Sequence, residues 1–203
     1  MPTGREATTS SPPPVDLAEA GLLRKARGGN LFAFEEIVKR YERRVYATAV
    51  RIVRRHDVAD DVAQEAFVRA WQALASFDLA RPFGPWVCRI AANLAINHVR
   101  SPQAREEGLP ETHSLTPDEA GDPLRQVLEE EAGRAFAGAL ATLPVDQRAV
   151  LTLRVQEELS YREIAETLGL PMGTVMSRLA RARDKLAEAL GPYLGERARA
   201  EGA

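Results

Sequence analysis

The segment LSYREIAETLGLPMGTV, residues 159–175, decides how this chain folds. Ser160 and Glu163 stand three apart at the head of an apolar-periodic run. This is the S-x-x-E pattern in which a serine oxygen and a glutamate carboxylate satisfy the free amides of a helix start. Gly169 supplies a residue able to adopt the left-handed backbone that ends such a helix, and Pro171 suits the opening of the next. Two helices separated by about three residues and a glycine have helix-turn-helix spacing. Along the second, Val175, Leu179, Ala182, Leu186 and Leu190 form an inward stripe at three- and four-residue steps. Ser177, Arg178, Ala180, Arg181, Asp184 and Lys185 are left on the outer side, which is basic. Such a helix fits a DNA major groove, with arginine on guanine edges and hydroxyls or further arginines on phosphates. A plain helical hairpin with a solvated basic face is the alternative. The joint presence of cap, turn and basic face favours DNA.

Outward from this hairpin, apolar periodicity covers Leu124–Leu143, Asp146–Gln156, Tyr161–Leu168 and Met172–Leu190, so residues 124–192 read as a helical domain with a C-terminal tail at 193–203. Before it, residues 101–123 hold four prolines, two glycines and many acids without sustained periodicity, the composition of a flexible acidic linker. Upstream again, Phe34, Ile37, Val38, Tyr41, Val45, Ala49 and Ile52 mark a helix over Leu31–Val53. A second helix opens near Asp57 and stops before Phe77. A third runs from Trp86 to Arg100, after a loop broken by Pro82, Gly84 and Pro85. Residues 21–100 thus form another helical domain, behind a polar tail at 1–20. No strand alternation of useful length appears. The expected fold class is all-α, with two small helical domains on a tether.

With 203 residues, 45% hydrophobic, 28% charged and 6% aromatic, the chain has a core in each half, and disorder throughout is excluded. No run approaches the ~18 apolar residues of a membrane span, which places the protein in the cytoplasm without membrane insertion. The single cysteine, Cys88, has no intramolecular partner, and three dispersed histidines show no ligand spacing, so neither a metal nor another cofactor is expected. The net charge of −2 hides a segregation: residues 24–100 carry 14 Lys/Arg against 8 acids, and residues 101–131 carry 2 against 9. Lys39, Arg40, Arg43, Arg44, Arg51, Arg54 and Arg55 crowd into about five helical turns, a patch expected to face water as an ordinary solvated helix face, with a polyanion site as the alternative. No P-loop, nucleophile elbow or paired-carboxylate pocket is present, and no catalytic residue is assigned.

Three blocks carry a resemblance to a known family: Phe34–Val53; Asp57–Arg100 with DVADDVAQEAFVRAW and PWVCRIAANLAINHVR; and Leu143–Leu190 with LPVDQRAVLTLRVQEELSYREIAETLGL and GTVMSRLARARDKL. In this order, and with a tether between, they resemble the bacterial sigma-70 superfamily, specifically the two-domain extracytoplasmic-function (ECF) sigma factors. These are promoter-recognition subunits of RNA polymerase. The resemblance implies that residues 21–100 are region 2 and residues 124–192 region 4. It implies core polymerase as partner, through the beta-prime clamp helices and the beta flap, together with promoter DNA and an anti-sigma factor. The family's D-x-x-Q-E clamp-binding pattern falls on Asp61, Gln64 and Glu65, which otherwise read as a solvated acidic face.

By the same resemblance the third helix and the loop before it engage the minus-ten element, with Phe83 and Trp86 near a flipped base and Asn93, Asn97, His98 and Arg100 toward bases and phosphates. For Trp86 a core role is equally open. The helix beginning near Met172 matches the family's reader of the minus-thirty-five element, on Thr174, Met176, Ser177, Arg178, Ala180, Arg181, Arg183 and Lys185. Met176 replaces a frequent Lys or Arg, and Ala180 a frequent His or aromatic residue, so a weaker or altered motif is expected. The linker reaches at most ~70 Å and averages ~25 Å as a coil, which leaves the free modules without fixed spacing. It fits either a mimic of nucleic-acid charge inside the polymerase or a plain spacer. A stand-alone helix-turn-helix regulator is the alternative function; it needs only the second domain and a dimer interface.

Overall fold

The computed structural model describes residues 17–101 and 123–201, with backbone alone for 123–130 and 196–201. Every secondary-structure element among these residues is helical. The first bundle contains α1 (Leu17–Arg27), α2 (Leu31–Val53), α3 (His56–Ala73), a short 3-10 turn at Leu74–Ser76, and α4 (Phe83–Arg100). Asn30 starts α2, its Oδ1 accepting from the Ala33 amide at 3.0 Å. The stripe expected on α2 is where the core sits: Ile37, Val45, Ala49 and Ile52 are enclosed against α3 and α4.

Helix α1 corrects the reading of residues 1–20 as tail, because it begins at Leu17. Its buried stripe is Ala20, Leu23 and Ala26, at steps of three. Glu19 is buried too and accepts from the Tyr41 hydroxyl at 2.5 Å and the Phe83 amide at 3.4 Å. Burial, then the neighbouring Glu19 carboxylate, holds the Tyr41 hydroxyl well above its ordinary value, so it stays a donor. Helix α4 also begins three residues before Trp86. Pro82 is its N-cap and Pro85 lies in its first turn, where a missing amide donor costs nothing.

The second bundle contains α5 (Pro123–Ala141), α6 (Val145–Val155), α7 (Tyr161–Leu168) and α8 (Met172–Glu201). The capping box forms as the sequence predicts. Ser160 Oγ accepts from the Glu163 amide at 3.2 Å, and Glu163 Oε2 accepts from the Ser160 amide at 2.9 Å. Gly169 ends α7 at φ 61°, in the left-handed region. Helix α8 overruns its expected end at Leu190: it continues past Pro192 to Glu201, through most of the segment read as tail. Residues 102–122 lie outside the described residues, and with them the linker reading.

The bundles are packed on one another, α6 against α2 and α4, and α7 against α4. This corrects the expectation of free modules without fixed spacing. Glu157, between α6 and α7, has its side chain fully enclosed. It accepts from Arg44 Nη2 at 2.8 Å, Arg44 Nε at 3.0 Å and Thr48 Oγ1 at 3.1 Å. Arg148 of α6, 6% exposed, donates from Nε and Nη2 to the Ile52 carbonyl at 3.0 and 2.5 Å and from Nη1 to the Leu143 carbonyl at 3.0 Å. Arg51 donates to Gln156 Oε1 at 2.5 Å, and Arg54 to the Ala141 carbonyl at 3.2 Å. The basic patch of α2 therefore does not all face water. Arg44, Arg51 and Arg54 turn to the second bundle, where each finds the acceptor that burial of a cation requires.

Candidate nucleic-acid interface

Three faces carry the residues singled out in the sequence. On α3, Asp61, Gln64 and Glu65 are all exposed, opposite the buried Val62, Ala66, Phe67 and Ala70. Steps of three and four residues place them in one patch. Val68 belongs to the same patch at the next step and is 51% exposed, an apolar centre beside the carboxylates. Glu65 accepts from Arg69 Nε at 2.7 Å, both side chains being half exposed. A rigid helix presenting carboxylates around one apolar residue suits a partner surface of Arg and Lys with a small apolar contact.

On α4, the structure separates Phe83 from the others. Its ring is 0% exposed, packed with Tyr41, Phe77 and Trp86 at centroid distances of 5.5, 5.7 and 5.4 Å. This corrects its expected place beside a flipped base, since a ring enclosed on all sides has no face for a nucleobase; Phe83 instead anchors α4 to α1 and α2. Trp86 is half-buried, its ring centroid 4.5 Å from that of Phe77, and it retains an open side. Asn93 and His98 are half-buried, and Asn97 and Arg100 exposed. Arg89, Asn93 and Arg100 lie on one stripe of α4, and this stripe is turned to the second bundle. Arg89 pairs with Glu163 at 2.7 Å and Arg100 with Asp146 at 2.5 Å.

On α8, Met176, Ser177, Arg181, Arg183 and Lys185 are exposed, while Thr174 and Ala180 are half-buried. Ser177 Oγ donates to the Thr174 carbonyl at 3.0 Å, leaving its oxygen as an acceptor. Met172 and Met176 are 53% and 50% exposed one turn apart, so the entry of this helix is an apolar step beside a basic one. Arg178 departs from its expected outward position: it is half-buried and pairs with Asp146 Oδ2 at 3.0 Å. Asp146 lies in the first turn of α6, where the helix end favours a carboxylate. Arg100 and Arg178, assigned to two separate DNA elements, thus meet on the two oxygens of one residue.

Burial pulls the Arg148 guanidinium down to about 10 and pushes the Cys88 thiol up to about 12. Cys88 is therefore a buried neutral residue. Among the described residues no cluster of three or more His, Cys, Asp or Glu is placed to hold a metal ion, and no helix is long and apolar enough to cross a membrane.

Comparison with known proteins decides the family. The family model "Sigma-70 region 2" matches residues 37–106 and "Sigma-70, region 4" matches residues 133–186. The RNA polymerase sigma-H factor of Pseudomonas aeruginosa is 36% identical over 187 residues, covering 86% of this chain and 95% of that protein. The ECF RNA polymerase sigma-E factor of Escherichia coli K12 is 34% identical over 189 residues, covering 88% and 97%. The chain belongs to the ECF sigma-70 family. Among solved structures this sigma factor is similar to CnrH in complex with the cytosolic domain of CnrY, with a TM-score of 0.58 and 30% identity over 86% of this chain and 98% of that one. It is also similar to the sigma factor RpoE of Bartonella quintana in complex with the anti-sigma factor NepR, with a TM-score of 0.59 and 26% identity over 78% and 96%.

Sequence reasoning missed four residues that this sigma factor brings to its polar faces: Val68, Asp146, Glu157 and Arg89. Val68 was accessible, because extending the Asp61–Gln64–Glu65 steps by one turn reaches it. The other three carry no such signal; a charge that pairs across two bundles looks in sequence like any solvated charge.

Proposed function

We propose that the chain binds core RNA polymerase and directs promoter-specific initiation, acting as a non-catalytic specificity subunit. The observation that carries this reading is the presence, in one chain, of the exposed Asp61–Gln64–Glu65 face on α3 and the capped helix-turn-helix with a basic α8. A stand-alone regulator has no use for the first. Asp61, Gln64 and Glu65 meet the polymerase clamp helices, with Val68 as the apolar centre of that contact. Trp86, Asn93, Asn97, His98 and Arg100 engage the opened minus-ten strand, Trp86 offering a stacking surface that offsets part of the few kcal/mol of unstacking. Thr174, Met176, Ser177, Arg178, Ala180, Arg181, Arg183 and Lys185 face the minus-thirty-five duplex, and the second bundle meets the beta flap. Two similar structures were solved with a protein partner, one of them named an anti-sigma factor, which supports a protein inhibitor for this chain as well. No metal or cofactor takes part, and the protein acts in the cytoplasm.

The test is reconstituted transcription with bacterial core polymerase on a randomised promoter library. Transcripts with a shared pair of upstream elements are expected from the wild type, and none after Asp61→Lys with Glu65→Lys. A stand-alone regulator predicts no dependence on those two residues.

A further inference from the structure

We infer that α1 braces the stacking tryptophan. Arg27 and Glu19, at opposite ends of this helix, hold the backbone of Phe77 and Phe83, the two rings on which Trp86 rests, and so are positioning residues for strand opening. The inference deepens the proposed function, on which the role of Trp86 at the minus-ten strand rests. The brace itself rests on geometry.

Trp86 sits on a two-ring platform. Its ring centroid is 4.5 Å from that of Phe77 and 5.4 Å from that of Phe83, and the two phenylalanines meet edge-on at 5.7 Å. Both are buried, at 5% and 0% exposure, so what stays open of Trp86 is the part they do not cover. Between them runs the segment 78–82, which is tied to itself: Asp78 Oδ1 accepts from the Ala80 amide at 3.0 Å, and the Asp78 carbonyl from the Arg81 amide at 2.9 Å. Bonds of this kind set the shape of a turn but not where it sits on the bundle.

Its place on the bundle is set from α1. At the entry, Arg27 donates from Nε to the Leu74 carbonyl at 3.2 Å and from Nη2 to the Phe77 carbonyl. At the exit, Glu19 Oε1 accepts from the Phe83 amide at 3.4 Å and Oε2 from the Tyr41 hydroxyl at 2.5 Å, while the Tyr41 ring packs on Phe83 at 5.5 Å. Glu19, Leu23 and Arg27 follow at steps of four along one side of α1, with Leu23 fully buried between the two charges. The charges stand ~12 Å apart along the axis, so one rigid rod fixes both ends of the segment. Each also suits its end of the helix, acid in the first turn and base in the last. An apolar side chain could fill the Glu19 site with less desolvation than a carboxylate. What the carboxylate adds is register: one oxygen fixes the first amide of α4, and the other fixes the Tyr41 ring packed against it. Loss of either tether leaves the phenylalanines buried but lets the platform shift, and a small misplacement is enough to lose a positioned contact. The expected defect is in parting the strands, with core binding and duplex recognition intact.

The experiment uses holoenzyme reconstituted from core polymerase and the full chain, at saturation, on the library-selected promoter with a fluorescent adenine analogue in the minus-ten element. Each variant is read on the paired template and on one mismatched across that element. Trp86→Ala should slow opening of the paired template ~10-fold, which is about 1.4 kcal/mol of lost stacking. Glu19→Leu and Arg27→Met each remove one tether and should slow it ~3–10-fold. On the mismatched template, where the strands are already parted, both should initiate at the wild-type rate. In the Trp86→Ala background neither should add a further loss. Glu19→Gln is the conservative rescue: its amide oxygen still accepts from the Phe83 amide and its nitrogen donates to the Tyr41 oxygen, so opening stays within ~2-fold of wild type. A merely structural role of α1 predicts fewer active molecules, hence equal losses on both templates that add to that of Trp86→Ala. Arg27 is exposed, so Arg27→Met carries the test should Glu19→Leu fail to co-migrate with core polymerase. Equal losses on both templates, losses that add to that of Trp86→Ala, or tether variants that open promoters like wild type overturn the brace. A Trp86→Ala variant that opens the paired template like wild type refutes the reading of Trp86 itself, and the brace with it.

Discussion

Arg148 offers the sharpest test of how the bundles are joined. Its guanidinium donates two bonds to the Ile52 carbonyl, in the last turn of α2, and it also holds the Leu143 carbonyl just before α6. Replacement by methionine keeps most of the apolar stem and removes the three bonds. Two buried carbonyl oxygens are then left to find water, at ~1–3 kcal/mol each if they find none. The favourable contact of a cation with a helix C-terminus, ~0.3–1 kcal/mol, is lost as well. Against this, the variant no longer buries a cation, the cost that pulls Arg148 down to about 10. The balance is a destabilisation of ~2–3 kcal/mol, which for a chain of this size lowers the melting temperature by roughly 4–12 °C at ~2–4 °C per kcal/mol. Urea unfolding followed by circular dichroism measures it. Arg148→Lys, which keeps the charge but not the fork, should fall between. A loss under about 0.5 kcal/mol for Arg148→Met, with an unchanged denaturant slope, would refute the reasoning that these bonds hold the interface.

Three further outcomes follow from particular contacts. A Cβ at Gly84 would stand 2.6 Å from Tyr41 Cε1 and 2.9 Å from Arg44 Nη1; the arginine can move, but Tyr41 is held by Glu19 and Phe83, so Gly84→Ala should cost ~1–3 kcal/mol in thermal unfolding. For Glu163, burial raises the carboxyl, but its bonds to the Ser160 amide and hydroxyl and the nearby Arg89 outweigh burial and leave it below its ordinary value. A carboxyl lowered by folding stabilises the protein above its unfolded pKa, about 4.3, and that contribution fades as pH falls from there through the folded value; Glu163→Gln should flatten this part of the stability–pH curve, and an unchanged curve would contradict it. Met176→Arg places a cation at an exposed position of α8 and should tighten binding to the selected minus-thirty-five duplex while steepening the salt slope by ~1; no change in slope would show that this position does not face the backbone.

Much of this architecture was legible because local signals agree. Asn30, Ser160, Glu163 and Gly169 mark helix ends by chemistry that operates within four residues, and the α2 stripe is long enough for periodicity to be unambiguous. Helix α1 was hidden because its buried face is Ala20, Leu23 and Ala26, with one large side chain, and because Glu19 finds its partners in Tyr41 and Phe83, far along the chain. Helix α8 continues past Pro192, beyond Leu190 where its apolar periodicity ends. Phe83 and Trp86 are three residues apart in one junction, and only the packing of Phe77 and Tyr41 decides that the first is core and the second has an open side. The docking of the bundles rests on Arg44–Glu157, Arg51–Gln156 and Arg148–Ile52, contacts separated by about 100 positions. No periodicity reports such pairs.

The central claim is that an acidic face on α3 fastens this chain to a polymerase that it then directs to promoters. Size-exclusion co-migration with bacterial core polymerase, followed by transcription from the library-selected promoter, tests it most directly. Wild type should co-elute and initiate at a defined start, and Asp61→Lys with Glu65→Lys should lose both by at least ~10-fold while still binding the selected duplex. A chain that does not co-elute, or whose charge-reversed form transcribes as well as wild type, would contradict it.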